Sequence, residues 1–361
     1  MKRIAAAALL LLAASTPALA LQDTDYSAAV ASTAKAEIIP GYEALESATA
    51  GLQTSLDALC KQPSDGSLAQ AQEQFAKTAQ AWAKIQFISF GPVSEHQRAF
   101  RIEYWPDKRN IVGRQLANVL KKQDKAALDP DRFATTTVGV QGLPALDRLL
   151  FEQDALSNVK PGGFRCSLFA AIGINLNTIA HDIVAGWTEG ESPFLSRIEH
   201  PSEEDEDLPS GRDAAGRLLN DLLTSIIAMR DMKLLAPLGD SLEKAKPQAA
   251  EFWRSGQSNA VLAANLQGLR SLFGTDHGLG GLLAAQPDGK AVADTMIGAI
   301  DQVSNNLAGI TLLLNKAVAD AAQRKQVEAL AKQLTKPRDQ LAGPVATKLN
   351  LPIGFNALDG D

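Results

Sequence analysis

Histidine and cysteine, the side chains that most often bind transition metals, are scarce: 361 residues contain four histidines and two cysteines. The histidines are His96, His181, His200 and His277. They are far apart in the chain, and the zinc-peptidase pattern His-Glu-x-x-His is missing. The string His200 to Glu203 matches His-x-x-Glu, but it contains Pro201 and lies in an acidic stretch, where no helix aligns the two side chains. We interpret it as a chance match on a solvated surface.

Motifs of other enzyme classes are missing as well. The sequence has no Gly-x-Ser-x-Gly nucleophile turn, no phosphate-binding Walker loop and no dinucleotide-binding glycine pattern. The net charge is -6, and an acidic chain is a poor partner for nucleic acid or for an anionic membrane surface. We therefore expect neither a hydrolase with a serine nucleophile, nor a nucleotide-dependent enzyme, nor a nucleic-acid-binding protein.

Residues 1–20 have the pattern of a cleavable secretory signal peptide. Lys2 and Arg3 form a basic start, residues 4–14 an apolar run that is short for a membrane span, and residues 18–20 the cleavage pattern Ala-Leu-Ala. No cysteine follows the cut, so no lipid anchor is indicated. No later run is long and apolar enough for a membrane span. We therefore expect a soluble mature chain that is exported to a bacterial periplasm.

The two cysteines, Cys60 and Cys166, most simply form one disulfide in an exported protein. Such a bond would stabilise the fold by restricting the unfolded chain. The alternative is that the two cysteines bind a metal. That interpretation is weaker, because no Cys-x-x-Cys pair and no paired histidine accompanies them.

Apolar residues recur at helical spacing along most of the chain. The longest stripe consists of Phe164, Leu168, Ile172, Leu176, Ile179, Ile183 and Trp187, and similar stripes cover residues 45–59, 68–85 and 296–314. The alternation typical of strands is not evident. Such stripes bury one helix face against other helices, which predicts an all-α fold of helical bundles. Trp82 and Trp187 are predicted to pack in the core, and Pro40 to kink or break the first helix.

A stretch rich in proline, glycine and acidic residues divides this pattern into two halves. It covers residues 191–210 and is predicted to be an exposed linker. The flanking ranges, 22–190 and 211–349, are each predicted to form a helical-bundle domain, since the chain is long for a single domain. Residues 350–361 form a turn-rich tail.

Two irregular segments carry clustered charges. The first segment holds Arg101, Glu103, Trp105 and Arg109. Irregular segments on a rigid scaffold often carry sites, arginine can bind carboxylates or other anions through two hydrogen bonds, and tryptophan offers a flat apolar face. The alternative is a structural loop in which arginine and glutamate pair with each other.

The second segment, residues 233–258, holds Lys233, Glu251, Arg254, Ser255 and Ser258. Ser258 is predicted to cap a helix over about 259–272. An arginine beside the start of that helix would favour an anionic group. The alternative is simple helix capping with a surface arginine.

Residues 138–151, Val-Gly-Val-Gln-Gly-Leu-Pro-Ala-Leu-Asp-Arg-Leu-Leu-Phe, together with residues 101–110 and 253–258, resemble the imelysin-like family of bacterial periplasmic proteins. The resemblance covers nearly the whole mature chain. The family carries a Gly-x-His-x-x-Glu motif that is proposed to bind a metal and was once taken as a peptidase signature. In this chain the motif reads Gly142, Pro144 and Asp147, so an imino acid with no lone pair for a metal replaces the histidine.

The resemblance implies two packed helical domains with a site between them, and it supports a disulfide between the two cysteines. It would bring eight residues to one crevice: Arg101, Trp105, Arg109, Gly142, Asp147, Lys233, Arg254 and Ser255. The four cations among them predict a basic pocket for a small anionic or iron-related ligand. Asp147 with Glu103 or Glu251 could contact a hard cation through carboxylate oxygen atoms. A weakly bound divalent cation is therefore the one candidate cofactor.

We therefore expect a non-enzymatic periplasmic binding or accessory protein, of a type that the resemblance links to iron acquisition and to envelope transport partners. Two alternatives stay open. One is a metallopeptidase of the imelysin type, against which Pro144 argues. The other is a structural envelope protein without a small ligand, against which the clustered arginine, tryptophan and serine residues argue.

Overall fold

The computed structural model describes residues 20–354, and every regular element in that range is a helix. The prediction of an all-α fold is confirmed. Residues 1–19 of the predicted signal peptide and residues 355–361 of the predicted tail lie outside the described residues. The prediction of export therefore stays a prediction.

Helices of nine or more residues form the body of the protein. They are α1 (Asp23–Thr33), α2 (Ile39–Lys61), α3 (Asp65–Ile85), α4 (Ile111–Lys122), α5 (Leu143–Phe151), α6 (Phe164–Thr188), α7 (Gly211–Ile227), α8 (Ser258–Phe273), α9 (Gly289–Ala308) and α10 (Gln323–Gln333). Shorter α-helical turns span Arg98–Ile102, Pro130–Phe133, Phe194–Glu199, Ala236–Leu238, Gly278–Ala284, Leu314–Ala317, Thr335–Gln340 and Ala346–Lys348, and 3-10 turns span Gly91–Gln97, Lys125–Leu128, Val138–Val140 and Pro247–Ala249. Three π-helical turns span Ala34–Ile38, Ala228–Leu235 and Leu341–Val345.

Each π-helical turn contains or adjoins a proline: Pro40, Pro237 and Pro344. Proline has no N–H to donate and its ring clashes with the carbonyl four residues earlier. A widened turn accommodates both effects without ending the helix. The sequence predicts that Pro40 kinks or breaks the first helix; it does not break it, because α1 continues into α2 through a π-helical turn. The second π-helical turn carries Lys233.

Helix α6 is a core helix. Its apolar stripe is buried: Leu168, Ile172, Leu176, Ile179, Ile183 and Trp187. By length and hydropathy alone this helix could also cross a membrane, contrary to the prediction that no such run exists in the mature chain. However, 56% of its most apolar window is buried inside the protein, and α6 packs along α2. We therefore interpret its apolar composition as that of a core helix.

The two predicted halves share extensive helix contacts. Helix α3 packs against α2 in its own half and against α8 in the other, while α1 packs against α7. Apolar side chains from both halves form one continuous core. The division into two domains at residues 191–210 stays a prediction, because these contacts alone do not define two units.

The predicted disulfide is confirmed. Cys60 near the end of α2 is bonded to Cys166 near the start of α6, with the two Cα atoms 5.5 Å apart. The bond joins two long helices that also pack against each other. It therefore fixes one end of the α2–α6 pair, and the metal-binding alternative for these cysteines is wrong.

The acidic segment 191–210 is exposed only in part. Phe194 packs edge-on against the buried Trp187, with ring centroids 4.9 Å apart. Arg197 donates to both carboxylate oxygens of Asp205, each at 2.7 Å, and this arginine lowers the pKa of Asp205 to about 2. The prediction of an exposed linker is corrected for this part of the segment: the Phe194 ring holds it against α6, and the Arg197–Asp205 ion pair joins two residues within the segment.

Asp221 of α7 forms a hydrogen-bonded contact between the halves. Its carboxylate accepts hydrogen bonds from the backbone N–H of Ser89 at 2.8 Å and from the Ser89 hydroxyl at 2.5 Å. Burial raises the pKa of Asp221 to about 7, although both Ser89 hydrogen bonds oppose that rise. In the unfolded chain the pKa of an aspartate is about 3.9. The carboxyl group therefore binds a proton more tightly in the folded protein.

We expect this group to make the free energy of unfolding fall as pH rises between about 4 and 7, because the unfolded chain binds fewer protons in that range. Between pH 5 and pH 8 the loss should be about 2–3 kcal/mol. Urea unfolding of the wild type and of Asp221→Asn at both pH values measures it. The variant cannot ionise and should lack this part of the slope; equal slopes in the two proteins would contradict the assignment.

Candidate functional site

The turn from Glu251 to Ser258 joins the two halves of the chain. Phe252 and Gly256 adopt positive φ angles of 47° and 70°, and this backbone conformation folds the segment tightly. The Phe252 ring packs edge-on against Phe75 of α3, with centroids 5.5 Å apart. The turn therefore carries predicted site residues of the second half into contact with the first.

Lys233 forms a buried ion pair at this junction and is 2% exposed. Its Nζ donates to the two carboxylate oxygens of Glu251 at 2.8 and 2.7 Å. It also donates to the side-chain oxygens of Gln86 at 3.0 Å and Asn265 at 2.7 Å. An ammonium group has three N–H donors, so these acceptors satisfy it completely. Because Gln86 follows α3, its hydrogen bond with Lys233 links the first half to the second.

Glu103 is a second buried carboxyl group in the same cluster. Its Oε2 accepts from Nε1 of Trp82 at 2.8 Å and from Gln86 at 3.3 Å. Its Oε1 has no hydrogen-bond partner within residues 20–354. Burial raises the pKa of Glu103 well above its ordinary value, and the charge of Glu251 raises it further, while Lys233 opposes the rise. Burial and the neighbouring charge of Glu251 therefore favour the protonated form of Glu103.

Two aromatic rings lie beside this cluster. The Nζ atom of Lys233 is 5.6 Å from the ring centroid of Trp105 and 5.5 Å from that of Phe87, which is within the range of cation–π attraction. Trp105 is half-buried. It thus lies at the junction as the sequence predicts, with its ring beside the ion pair.

Asp147 contacts the same turn from the first half. Gly142 precedes α5, and a Cβ at this position would clash with the carbonyl oxygens of Arg101 and Ile102, so glycine allows α5 to approach that segment closely. The Oδ1 atom of Asp147 accepts a hydrogen bond from the backbone N–H of Ser255 at 3.0 Å. Burial raises the pKa of Asp147, and the hydrogen bonds of Ser255 oppose that rise. Asp147 therefore holds the 251–258 turn against α5 through this hydrogen bond.

Arg254 and Arg148 lie beside that contact. The Arg254 guanidinium stacks on the ring of Trp253, with its central carbon 4.2 Å from the centroid. Arg148 follows Asp147 and Arg254 precedes Ser255, so the 3.0 Å hydrogen bond between Asp147 and Ser255 brings the two arginines near each other. Burial and then the charge of Arg148 lower the pKa of Arg254. Arg148 donates to the side chain of Asn110. Neither arginine forms an ion pair with a carboxylate in the described part of the chain.

Residues 38–341 match a peptidase family model described as Imelysin. The chain belongs to the imelysin family. The match covers most of both helical halves, so it includes the two irregular segments and the turn that joins them.

Two solved structures share the fold of this imelysin family member. An imelysin-like protein from Psychrobacter arcticum 273-4 has 22% sequence identity and a TM-score of 0.77, with coverage of 94% of this chain and 99% of that chain. A putative iron-regulated protein A precursor from Parabacteroides distasonis ATCC 8503 has 15% identity and a TM-score of 0.75, with coverage of 91% and 96%. At these identities the likeness shows the fold alone. No curated protein matches the chain.

The four cations predicted to form one basic pocket do not converge in this imelysin. Arg101 donates to the side chains of Gln141 at 2.8 Å and Asn175 at 2.6 Å. Arg109 is exposed, and Lys233 is neutralised in its buried ion pair. The prediction of a four-cation pocket is wrong, because two of the cations bind acceptors within their own surroundings. Of the four, Arg254 is half-buried at the junction and has no hydrogen-bond acceptor within residues 20–354.

Two local predictions are also corrected. Helix α8 begins at Ser258 itself, and the Ser258 hydroxyl donates to the carbonyl of Glu251, so it closes the turn and does not cap the helix. Glu103 accepts from Trp82 and Gln86. The alternative in which this glutamate pairs with an arginine of its own segment is therefore wrong.

Three residues of the junction are absent from the predicted site: Gln86, Arg148 and Asn265. The sequence pattern could have indicated Asn265, because it is a polar residue on the buried face of α8 between Leu262 and Leu266. Gln86 and Arg148 lie at half-exposed positions, where polar residues are ordinary. No sequence pattern distinguishes these two from surface residues.

The motif positions of this imelysin do not fit a catalytic metal ion. Pro144 supplies no donor atom, and the Asp147 carboxylate accepts the Ser255 N–H. Across residues 20–354, no group of three or more histidine, cysteine, aspartate or glutamate side chains is arranged to hold a metal. A catalytic zinc site needs about three protein ligands with one open position, and this donor set does not provide them.

Proposed function

We propose that this imelysin family member is an exported, non-enzymatic binding or accessory protein of iron acquisition. The proposal that the protein is not an enzyme rests on the motif positions. Pro144 replaces the histidine, and Asp147 accepts a hydrogen bond from Ser255 of the 251–258 turn. The name of one protein of the same fold, a putative iron-regulated protein A precursor, supports iron regulation and export.

The ligand site in this proposal is the junction of the two halves. Ligand sites often lie where two structural units meet. The Trp105 ring provides an apolar surface there, and Arg254 provides an unpaired cation. The Lys233 ammonium lies 5.6 Å from the Trp105 ring and donates to Gln86 of the first half.

A structural envelope role is the second candidate, and one observation favours it. The Lys233 ammonium is satisfied by protein acceptors alone, so this cation needs no ligand. A metallopeptidase is disfavoured by the donor set at the motif.

We expect iron starvation to raise the amount of this protein in the periplasmic fraction, and the purified protein to bind ferric citrate. Immunoblots of fractionated cells with and without a chelator measure the first effect. Equilibrium dialysis of the mature chain against ferric citrate measures the second. Mass spectrometry of a peptide library incubated with the protein should show no cleavage.

Each rival predicts a different result in the same experiments. Chelator-sensitive cleavage that zinc restores would favour the metallopeptidase. An iron-independent protein level together with no binding of ferric citrate would favour the structural role. Bovine serum albumin at the same concentration serves as the control for non-specific binding of the iron complex.

A further inference from the structure

Arg148 and Arg254 are two half-buried arginines without a carboxylate partner among the described residues. They lie near each other because each is the sequence neighbour of one partner in the 3.0 Å hydrogen bond between Asp147 and Ser255. Both are held by neutral groups. Arg254 lies flat on Trp253 at 4.2 Å, and Arg148 donates to the Asn110 side chain. Gly113 leaves room for Arg148, because a Cβ at that position would lie 2.9 Å from its Nη1.

The acidic side chains nearest to this pair are already engaged. Asp147 and Asp107 are the two carboxylates whose charges act on Arg254. Asp147 accepts the Ser255 N–H at 3.0 Å. Asp107 accepts the backbone N–H groups of Ile111 at 2.6 Å and Val112 at 3.0 Å, which are at the start of α4. Among the described residues, neither carboxylate forms a hydrogen bond or salt bridge with the two guanidinium groups.

Two like charges held together in a half-buried site repel each other and lose part of their hydration. An oxyanion between them would offset both effects. The flat guanidinium group presents N–H donors in a fork that matches a carboxylate or phosphate group. Because the Trp253 ring covers one face of Arg254, the plane of this fork is already set before a ligand arrives, which reduces the entropy cost of binding.

We infer that Arg148 and Arg254 form an oxyanion-binding clamp at the edge of the junction, which holds a carboxylate or phosphate group of the ligand. The inference rests on the proposed binding function and specifies the chemistry of what is bound. The clamp differs from the four-cation pocket that the sequence predicted. Arg254 is joined by Arg148, which follows Asp147 in the chain, and neither Arg101 nor Arg109 takes part.

The test uses the iron-free mature chain, with sodium citrate and inorganic phosphate as probes at constant ionic strength. Isothermal titration calorimetry should show binding of at least one probe above a chloride baseline. Arg254→Gln and Arg148→Gln should each weaken that binding by about ten-fold or more, since each removes charge-assisted hydrogen bonds. Arg254→Lys keeps the charge without the fork and should give an intermediate loss.

Arg109→Gln is the matched control, because Arg109 is an exposed arginine from the predicted site, and its affinity should equal that of the wild type. Without probe, the melting temperatures of Arg254→Gln and Arg148→Gln should stay at or slightly above the wild-type value, because removing one of two like charges relieves repulsion. Binding of citrate alone, phosphate alone or both supports the clamp and identifies the group it prefers.

Two results would overturn the clamp: no binding of either probe, or equal weakening in Arg109→Gln and Arg254→Gln. Failure of the proposed iron function is a separate outcome. If the protein neither responds to iron nor gains affinity when the citrate carries ferric iron, iron-free citrate could still bind through the two arginines, and the clamp would stand.

Discussion

Replacing Lys233 with methionine should lower the free energy of unfolding by about 3–5 kcal/mol, which is the cost of removing one partner from a buried ion pair. Both Lys233 and Glu251 side chains are 2% exposed, with Nζ and Oε2 2.7 Å apart. Without the ammonium, Glu251 keeps a buried charge, and Gln86 and Asn265 lose a donor. Methionine fills a similar volume, so the loss should come from charge and hydrogen bonding. Urea unfolding at pH 7 measures it.

A double variant separates the ion pair from general damage to the core. Lys233→Met combined with Glu251→Gln leaves no uncompensated charge, so it should be more stable than Lys233→Met alone. Lys244→Met is the surface control: its side chain is 70% exposed and lies 3.8 Å from Asp240, so it should change stability by less than about 1 kcal/mol. A Lys233→Met protein as stable as this control would contradict the role of the ion pair.

Removal of the disulfide should have an effect of similar size. Cys60 and Cys166 are separated by 106 positions, and closing a loop of about 100 residues restricts the unfolded chain by about 4–5 kcal/mol in the chain-entropy model. The double variant Cys60→Ser with Cys166→Ser should lose most of this stability. The helices it joins lie away from the 251–258 turn in sequence, and ferric citrate binding at low temperature should remain.

Reduction provides the matched control for the disulfide. Dithiothreitol should destabilise the wild type by about as much as the double substitution does, and it should leave the double variant unchanged. Mass spectrometry after alkylation of periplasmic protein should find no free thiol. Two alkylated cysteines in native protein, or a double variant as stable as the wild type, would show that the bond does not contribute in the cell.

Several features of the fold could be predicted from local sequence. The stripe from Phe164 to Trp187 specifies α6, because a 3.6-residue period places these side chains on one face. The pairing of Cys60 with Cys166 could be predicted because two cysteines in a chain with a predicted signal peptide allow one intramolecular pair. The junction of the segment around Trp105 with the 251–258 turn also agrees with the family resemblance.

The sequence by itself thus determined the helices, the disulfide and the family, since each depends on residue type and spacing along the chain. Only the tertiary structure decided the roles of the charges. Gln86 lies 147 positions from Lys233, and Ser255 lies 108 positions from Asp147. An ion pair or a hydrogen bond acts over a few ångströms, and sequence spacing does not say which of many donors and acceptors meet. Packing therefore decided that Lys233 is buried with Glu251 and that Arg254 remains unpaired beside Arg148.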